Sequence, residues 1–208
     1  HGYRYEDYAG DVVGLMEGLD LAPPVLLGHS MGGMTAAVVA SQVGTAIRGL
    51  VLADPTFLSV QRQREVYESD VVEQHRRYLS LHMDEALAEG RNRHPLRRAE
   101  IVRLVAEARM KTRIGALDVL TPPNPDYRQL VTMVDIPILL VIADTGIVSL
   151  EMARDLQELN PRVCIQQIQD AGHGLQYDQP ERFEAVVRPF LRSLAALEPS
   201  ASCTSRTP

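Results

Sequence analysis

The residues best placed to do chemistry lie in Gly28-His29-Ser30-Met31-Gly32, which has the pattern GxSxG. An apolar run, 25–27, precedes it and a run of small and β-branched residues, 34–40, follows it, which is typical of a strand, a tight turn and a helix. Such a turn holds its serine out toward a substrate, and we expect a glycine two positions to either side because a Cβ there would collide with backbone. The Met31 amide, at the first turn of the helix, would face negative charge developing on an attacked carbonyl oxygen.

A serine nucleophile needs a base that takes its proton during attack. His173 is the best candidate, because it lies on a loop after the last predicted strand and the glycines at 172 and 174 let that loop bend back toward Ser30. His29 is adjacent to Ser30 in sequence, but adjacent residues in such a turn point in different directions, so we assign it a packing role.

Gly28 to Gly33 resembles the nucleophile elbow of the α/β-hydrolase family, and the segment from Ala171 to Phe183 resembles that family's histidine loop and closing helix. The resemblance implies an α/β fold with a parallel sheet and a triad in the chain order serine, acid, histidine. It also implies earlier strands and an HG-type loop that donates the second oxyanion N–H. Only a helix precedes the elbow here, so we interpret the sequence as an N-terminally truncated member with the last four strands.

Two carboxylates could orient the imidazole of His173. Asp144 ends the third predicted strand and gives the family's chain order, so it is the first choice. The commoner family pattern places the acid slightly later, in a position that Gly146 occupies here. Asp54, at the end of the preceding predicted strand, is the alternative acid, although Asp54-Pro55 could equally be a turn former.

The elements that must position these residues alternate between strand and helix, which predicts a parallel sheet with crossovers. Apolar runs predict strands at 25–27, 47–54, 136–144 and 163–168. Helical spacing predicts helices at 5–19, 126–134, 150–159 and 183–194, the last kinked or shortened by Pro189. We predict a core from 1–56 and 125–197 and a disordered Ser, Thr and Pro-rich tail at 198–208.

The segment 57–124 differs from the rest, since charged residues are frequent and the periodicity is helical at 62–78 and 97–111. The resemblance implies that an insertion at this point is a helical cap, which would shape the substrate pocket and exclude water. Three histidines of the segment share no metal-binding spacing and are expected on the surface, namely His75, His82 and His94.

The bulk properties exclude several function classes. A chain of 208 residues suits one domain, and a net charge of −6 with a pI near 5.5 disfavours nucleic acid and anionic membranes as partners. We find neither a membrane-spanning run nor a signal segment, and expect a cytoplasmic protein. The two cysteines, Cys164 and Cys203, make no disulfide framework. Without a Walker loop, GxGxxG or HExxH, no cofactor or metal is implied.

The sequence therefore predicts a serine hydrolase acting on an ester, thioester, lactone or related acyl bond of a small organic substrate, through Ser30, His173, Asp144 and the Met31 amide. Perhydrolysis, carbon–carbon bond hydrolysis and acyl transfer would use the same residues. The alternative is a non-catalytic fragment whose open sheet edge and incomplete oxyanion hole leave it inactive. The oligomeric state stays open.

Overall fold

The centre of the molecule is a sheet of four parallel strands, seen in a computed structural model that describes residues 2–196. Along the sheet the strands follow their order in the chain: β1 Val25–His29, β2 Gly49–Ala53, β3 Ile138–Thr145 and β4 Val163–Gly172. Because all four run in the same direction, their carboxyl ends meet at one rim. Within residues 2–196, β1 pairs only with β2 and lies at an edge.

Helices occupy most of the described residues outside the strands. Their bounds are α1 Tyr5–Gly18, α2 Met31–Val43, α3 Val60–Tyr67, α4 Val71–Leu79, α5 Met83–Arg93, α6 Ala99–Lys111, α7 Tyr127–Met133, α8 Leu150–Leu159, α9 Leu175–Asp178 and α10 Pro180–Ala196. Short 3₁₀ segments lie at Gly44–Ala46 and Ile114–Leu120.

The sheet is covered on both faces, which explains why its central strands are continuous apolar runs. Side chains alternate across β2: Leu50 and Leu52 join a cluster with α1, α2, α7 and α8, whereas Val51 and Ala53 join a second cluster with α9 and α10. All five residues of β2 are buried. The predicted α/β fold with a parallel sheet is therefore confirmed.

Two local predictions differ from the structure, and one helix was not predicted. The helix expected at 62–78 is two helices, since Ser69 Oγ donates to Val66 O at the end of α3 and α4 begins only at Val71. The helix α5 was not predicted. The last helix continues through Pro189 to Ala196, so the proline does not shorten it.

No helix among residues 2–196 combines the length and the apolar character needed to cross a membrane. Cys164 is an exposed free thiol. Cys203 and the predicted tail at 198–208 lie outside the described residues.

Candidate active site

Ser30 occupies a strained turn between β1 and α2, with φ 55° and ψ −122°. A Cβ on Gly28 would lie 2.2 Å from the carbonyl oxygen of Gly32, so Gly28 is required as expected. The expectation for Gly32 is wrong, because a Cβ there would point into open space. The second demanding position is Gly33, whose Cβ would approach Pro55 Cβ to 2.8 Å. Sequence reasoning missed Gly33, although it is the third residue after the serine.

Backbone hydrogen bonds join this turn to the loop that follows β2. Ser30 N donates to Ala53 O over 3.1 Å, and Thr56 N donates to Ser30 O over 3.1 Å. Asp54 lies between those two partners, with φ 40°. Ser30 and Asp54 are thus held in register by their own backbones, before any contact between their side chains.

His173 lies between Ser30 and Asp54. Its Nε2 is 2.9 Å from Ser30 Oγ, and its Nδ1 is 2.6 Å from Asp54 Oδ2. Because a carboxylate only accepts, Nδ1–H donates to Asp54, and Nε2 is then free to accept from the Ser30 hydroxyl. The expected proximity of His173 to Ser30 is therefore present, across 143 residues of sequence.

The Asp54 carboxylate is fully buried and well supplied with donors. Besides Nδ1 of His173 it accepts the backbone N–H of Ile147, at 2.9 and 3.0 Å to its two oxygens, and that of Val148 at 2.9 Å. A buried carboxylate without such donors would be very costly, and these bonds stabilise its charged form. Sequence analysis did not anticipate these amides.

The preference for Asp144 as the acid is corrected by the structure, which does not bring Asp144 to His173. Its side chain is exposed and accepts from Gln167 Nε2 at 3.0 Å and from Asp170 N at 2.7 Å, both in β4. The pairing of β3 with β4 is irregular between Ala143 and Thr145. Asp144 is therefore bound to the neighbouring strand, and the alternative acid, Asp54, is the one beside the imidazole.

Gly146 explains how the Asp54 carboxylate reaches this position. A Cβ on Gly146 would lie 2.5 Å from Oδ1 and 2.6 Å from Oδ2 of Asp54. The residue in the slot where the family more often carries its acid thus has no side chain, and the carboxylate of Asp54 occupies the space.

His29 does more than the packing role assigned to it. Its ring lies 4.7 Å from the ring of His173, and its Nε2 is 2.7 Å from His173 O, which makes Nε2–H the donor. Burial lowers the pKa of His29 below its ordinary 6.5, outweighing the hydrogen bond to His173 O, which raises it. In its neutral form, which the lowered pKa favours, His29 holds the backbone carbonyl of His173 in place.

The other histidines stand apart from this cluster. His82 is exposed, but the surface expectation is wrong for His75, which is buried and donates through Nε2 to Thr112 O over 2.8 Å. Within the described residues, no group of three or more His, Cys, Asp or Glu side chains could hold a metal ion.

Comparison with known proteins identifies the family of the fold. The family model described as the alpha/beta hydrolase fold matches residues 1–180, which is most of the chain. The chain belongs to the alpha/beta hydrolase fold family.

Individual relatives are distant. An sn-1-specific diacylglycerol lipase of Mus musculus, ABHD11, is 25% identical over 200 residues, which cover 90% of this chain. The chain spans 65% of the length of that curated relative. Among solved structures, E-2-(acetamidomethylene)succinate hydrolase matches with a TM-score of 0.76 and 22% identity, over 92% of this chain and 75% of the other. The esterase RhEst1 from Rhodococcus sp. ECU1013 matches with a TM-score of 0.72 and 22% identity, over 93% and 74%.

Proposed function

We propose that the protein is a serine hydrolase that cleaves an ester, thioester, lactone or related acyl bond of a small organic substrate. The observation that carries the proposal is the continuous path from Ser30 Oγ through the His173 imidazole to Asp54, with links of 2.9 and 2.6 Å. Both distances lie within the reach that nucleophile and base require.

The side chains have distinct roles in the proposed reaction. Ser30 Oγ attacks the carbonyl carbon while Nε2 of His173 takes its proton, and the imidazolium then protonates the leaving group. Asp54 holds Nδ1–H and stabilises the imidazolium charge. A water, deprotonated by the same Nε2, releases the acyl group and regenerates Ser30.

The Met31 amide is the proposed oxyanion donor. Met31 is the first residue of α2 and directly follows Ser30. The first N–H groups of a helix have no partner within the helix and lie at the positive end of its dipole. An oxyanion formed at Ser30 would therefore meet a donor that is already oriented.

The substrate pocket proposed here is a cavity of about 510 Å³ between segment 57–124, the proposed cap, and the core. Its apolar wall comes from both parts: Phe57, Leu58, Val66, Leu120, Ile147 and Met152. It also reaches Thr56, which is hydrogen bonded to Ser30, and Gly146, which adjoins Asp54. Its size and lining support a small, mostly apolar acyl compound.

The similar proteins support an acyl substrate. The mouse relative is named as a diacylglycerol lipase and one structural neighbour as an esterase, and both names denote enzymes of ester bonds. A short-chain nitrophenyl ester is therefore a suitable first substrate.

The proposal is tested by turnover of that ester. We expect Ser30→Ala to lower kcat/KM at least about a thousandfold, because no other group supplies the nucleophile. Ser41→Ala is the matched control, since Ser41 lies in α2, the helix that follows Ser30, and donates to Val38 O. Retention of most activity by Ser30→Ala would refute the proposed function.

A further inference from the structure

We infer that Arg97, in the loop between α5 and α6, is a positioning residue that holds the loop of the proposed base His173. Arg97 belongs to segment 57–124, outside the core that carries Ser30, Asp54 and His173. The inference rests on the proposed function and adds a residue that the triad alone does not identify.

The anchor is an ion pair between Arg97 and Asp178, the last residue of α9. Arg97 Nε donates to Asp178 Oδ1 over 2.7 Å, and the two side chains are only 10% and 20% exposed. The other carboxylate oxygen, Oδ2, accepts from Gly172 N over 3.1 Å. The Asp178 carboxylate thus connects Arg97 to the residue directly before His173.

Arg97 also packs on the residue directly after His173. A Cβ on Gly174 would lie 2.4 Å from Arg97 Nη2, so the guanidinium rests against the bare backbone there. The guanidinium carbon lies 5.5 Å from the ring centre of Tyr177, and that ring meets His29 edge-on at 6.3 Å.

These contacts enclose the short connection between β4 and α9, which consists of His173 and Gly174. To work, the imidazole must stay within a fraction of an ångström of its productive position beside Ser30. Arg97 restrains it on both sides of His173. Segment 57–124 would therefore do more than shape a pocket: its docking would keep the base in place.

The neighbouring Arg98 offers a built-in control. Arg98 Nη2 pairs with Glu181 Oε1 over 2.8 Å and also joins segment 57–124 to the core. The side chains of Arg98 and Glu181 are 72% and 75% exposed. Solvent screens this pair, so we expect it to have little effect on activity.

The experiment compares Arg97→Met, Asp178→Asn, the double variant and Arg98→Met on the short nitrophenyl ester. We expect each single change at the Arg97 pair to lower kcat about tenfold or more with KM within about twofold, because it displaces the base rather than the substrate. The double variant should be no more than about twofold worse than the poorer single, since both remove one link. Arg98→Met should match the wild type. Asn has the same shape as Asp, so Asp178→Asn still tests the role of the Arg97–Asp178 pair if Arg97→Met fails to fold.

A second readout requires no substrate. The proton on His173 Nδ1, in its 2.6 Å bond to Asp54, should give a far-downfield NMR signal that Asp54→Asn abolishes. We expect the signal to broaden or vanish in Arg97→Met and Asp178→Asn and to persist in Arg98→Met. An unchanged signal and kcat in both variants would overturn the role of Arg97, as would equal losses in Arg98→Met. Because the signal needs no turnover, failure of the Ser30→Ala test would refute hydrolysis without deciding the Arg97 question.

Discussion

Asp54 and Asp144 lie at the carboxyl ends of neighbouring parallel strands, yet their surroundings are opposite. Asp54 is fully buried and receives the Ile147 and Val148 amides and the imidazole of His173. Asp144 is exposed, and its partners, Gln167 and the Asp170 amide, belong to the adjacent strand. A carboxylate at this rim is therefore a candidate partner for His173, but its position on the rim does not decide whether it contacts the imidazole.

The selection is made by the loop after β3. Gly146 leaves room for the Asp54 carboxylate, and the next two amides point at its oxygens. The same loop in a chain with a side chain at 146 would exclude that carboxylate. The Asp54 carboxylate and the loop beside it therefore form one structural unit.

The comparison is tested most severely by matched amide substitutions. Asp54→Asn should lower kcat/KM by about three to four orders of magnitude, because a neutral amide neither holds the Nδ1–H tautomer nor stabilises the imidazolium. Asp144→Asn should stay within about twofold of the wild type, since Asp144 does not contact the imidazole. Steady-state kinetics on the nitrophenyl ester decide between them, and the reverse ranking would make Asp144 the acid.

Gly146→Ala probes the loop rather than the acid. Its new Cβ would lie 2.5 Å from Asp54 Oδ1, so the carboxylate must move, and a shift of this size should cost about ten- to a hundredfold in kcat/KM. Gly14→Ala in α1 is the control, because its Cβ would meet no atom within 4 Å. Equal activity in the two variants would show that the space at 146 is unimportant.

The smallest expected effect concerns His29 and pH. Burial lowers the pKa of His29, so between its ordinary 6.5 and the lower folded value the unfolded chain binds a proton that the folded protein does not. Its contribution to stability is present above about pH 6.5 and is lost as the pH falls through the folded pKa, with a slope of at most about 1.4 kcal/mol per pH unit.

The measurement is urea unfolding at pH 7.5 and 5.5. His29→Gln should lose less stability on acidification than the wild type, while its amide can still donate to His173 O. Burial also lowers the pKa of His94, so His94 contributes a pH dependence of its own. The stability of the double variant, His29→Gln with His94→Gln, should therefore change less with pH than that of either single variant. An unchanged slope in His29→Gln would contradict the lowered pKa of the half-buried His29.

The sequence was sufficient for the sheet and the elbow. Apolar runs at β2 and β3 and the helical pattern of α8 depend on local periodicity, and the bounds of α8 are those expected. Ser30 and His173 could be proposed from the sequence because a glycine-bounded turn after a strand and a glycine-flanked histidine are local signals. Which of Asp54 and Asp144 reaches the imidazole depends on the carboxylate that the loop at 146–148 contacts. That loop begins 92 residues after Asp54 in the sequence. Local pattern carries no such information.

Other differences have the same cause. Gly33 is constrained by Pro55, and the buried His75 is hydrogen bonded to Thr112 O; both partners are distant in sequence. The pairing of Arg97 with Asp178 spans 81 residues. In each case the deciding contact is made by tertiary structure, and the residue alone looks ordinary.

The central claim is that Ser30 is a nucleophile activated by His173, and fluorophosphonate labelling tests it most directly. Peptide mass spectrometry should find the phosphonate on Ser30, and His173→Gln should slow labelling at least about a hundredfold, because the serine then loses its base. An adduct on another residue, or labelling of Ser30 at an undiminished rate in His173→Gln, would contradict the account.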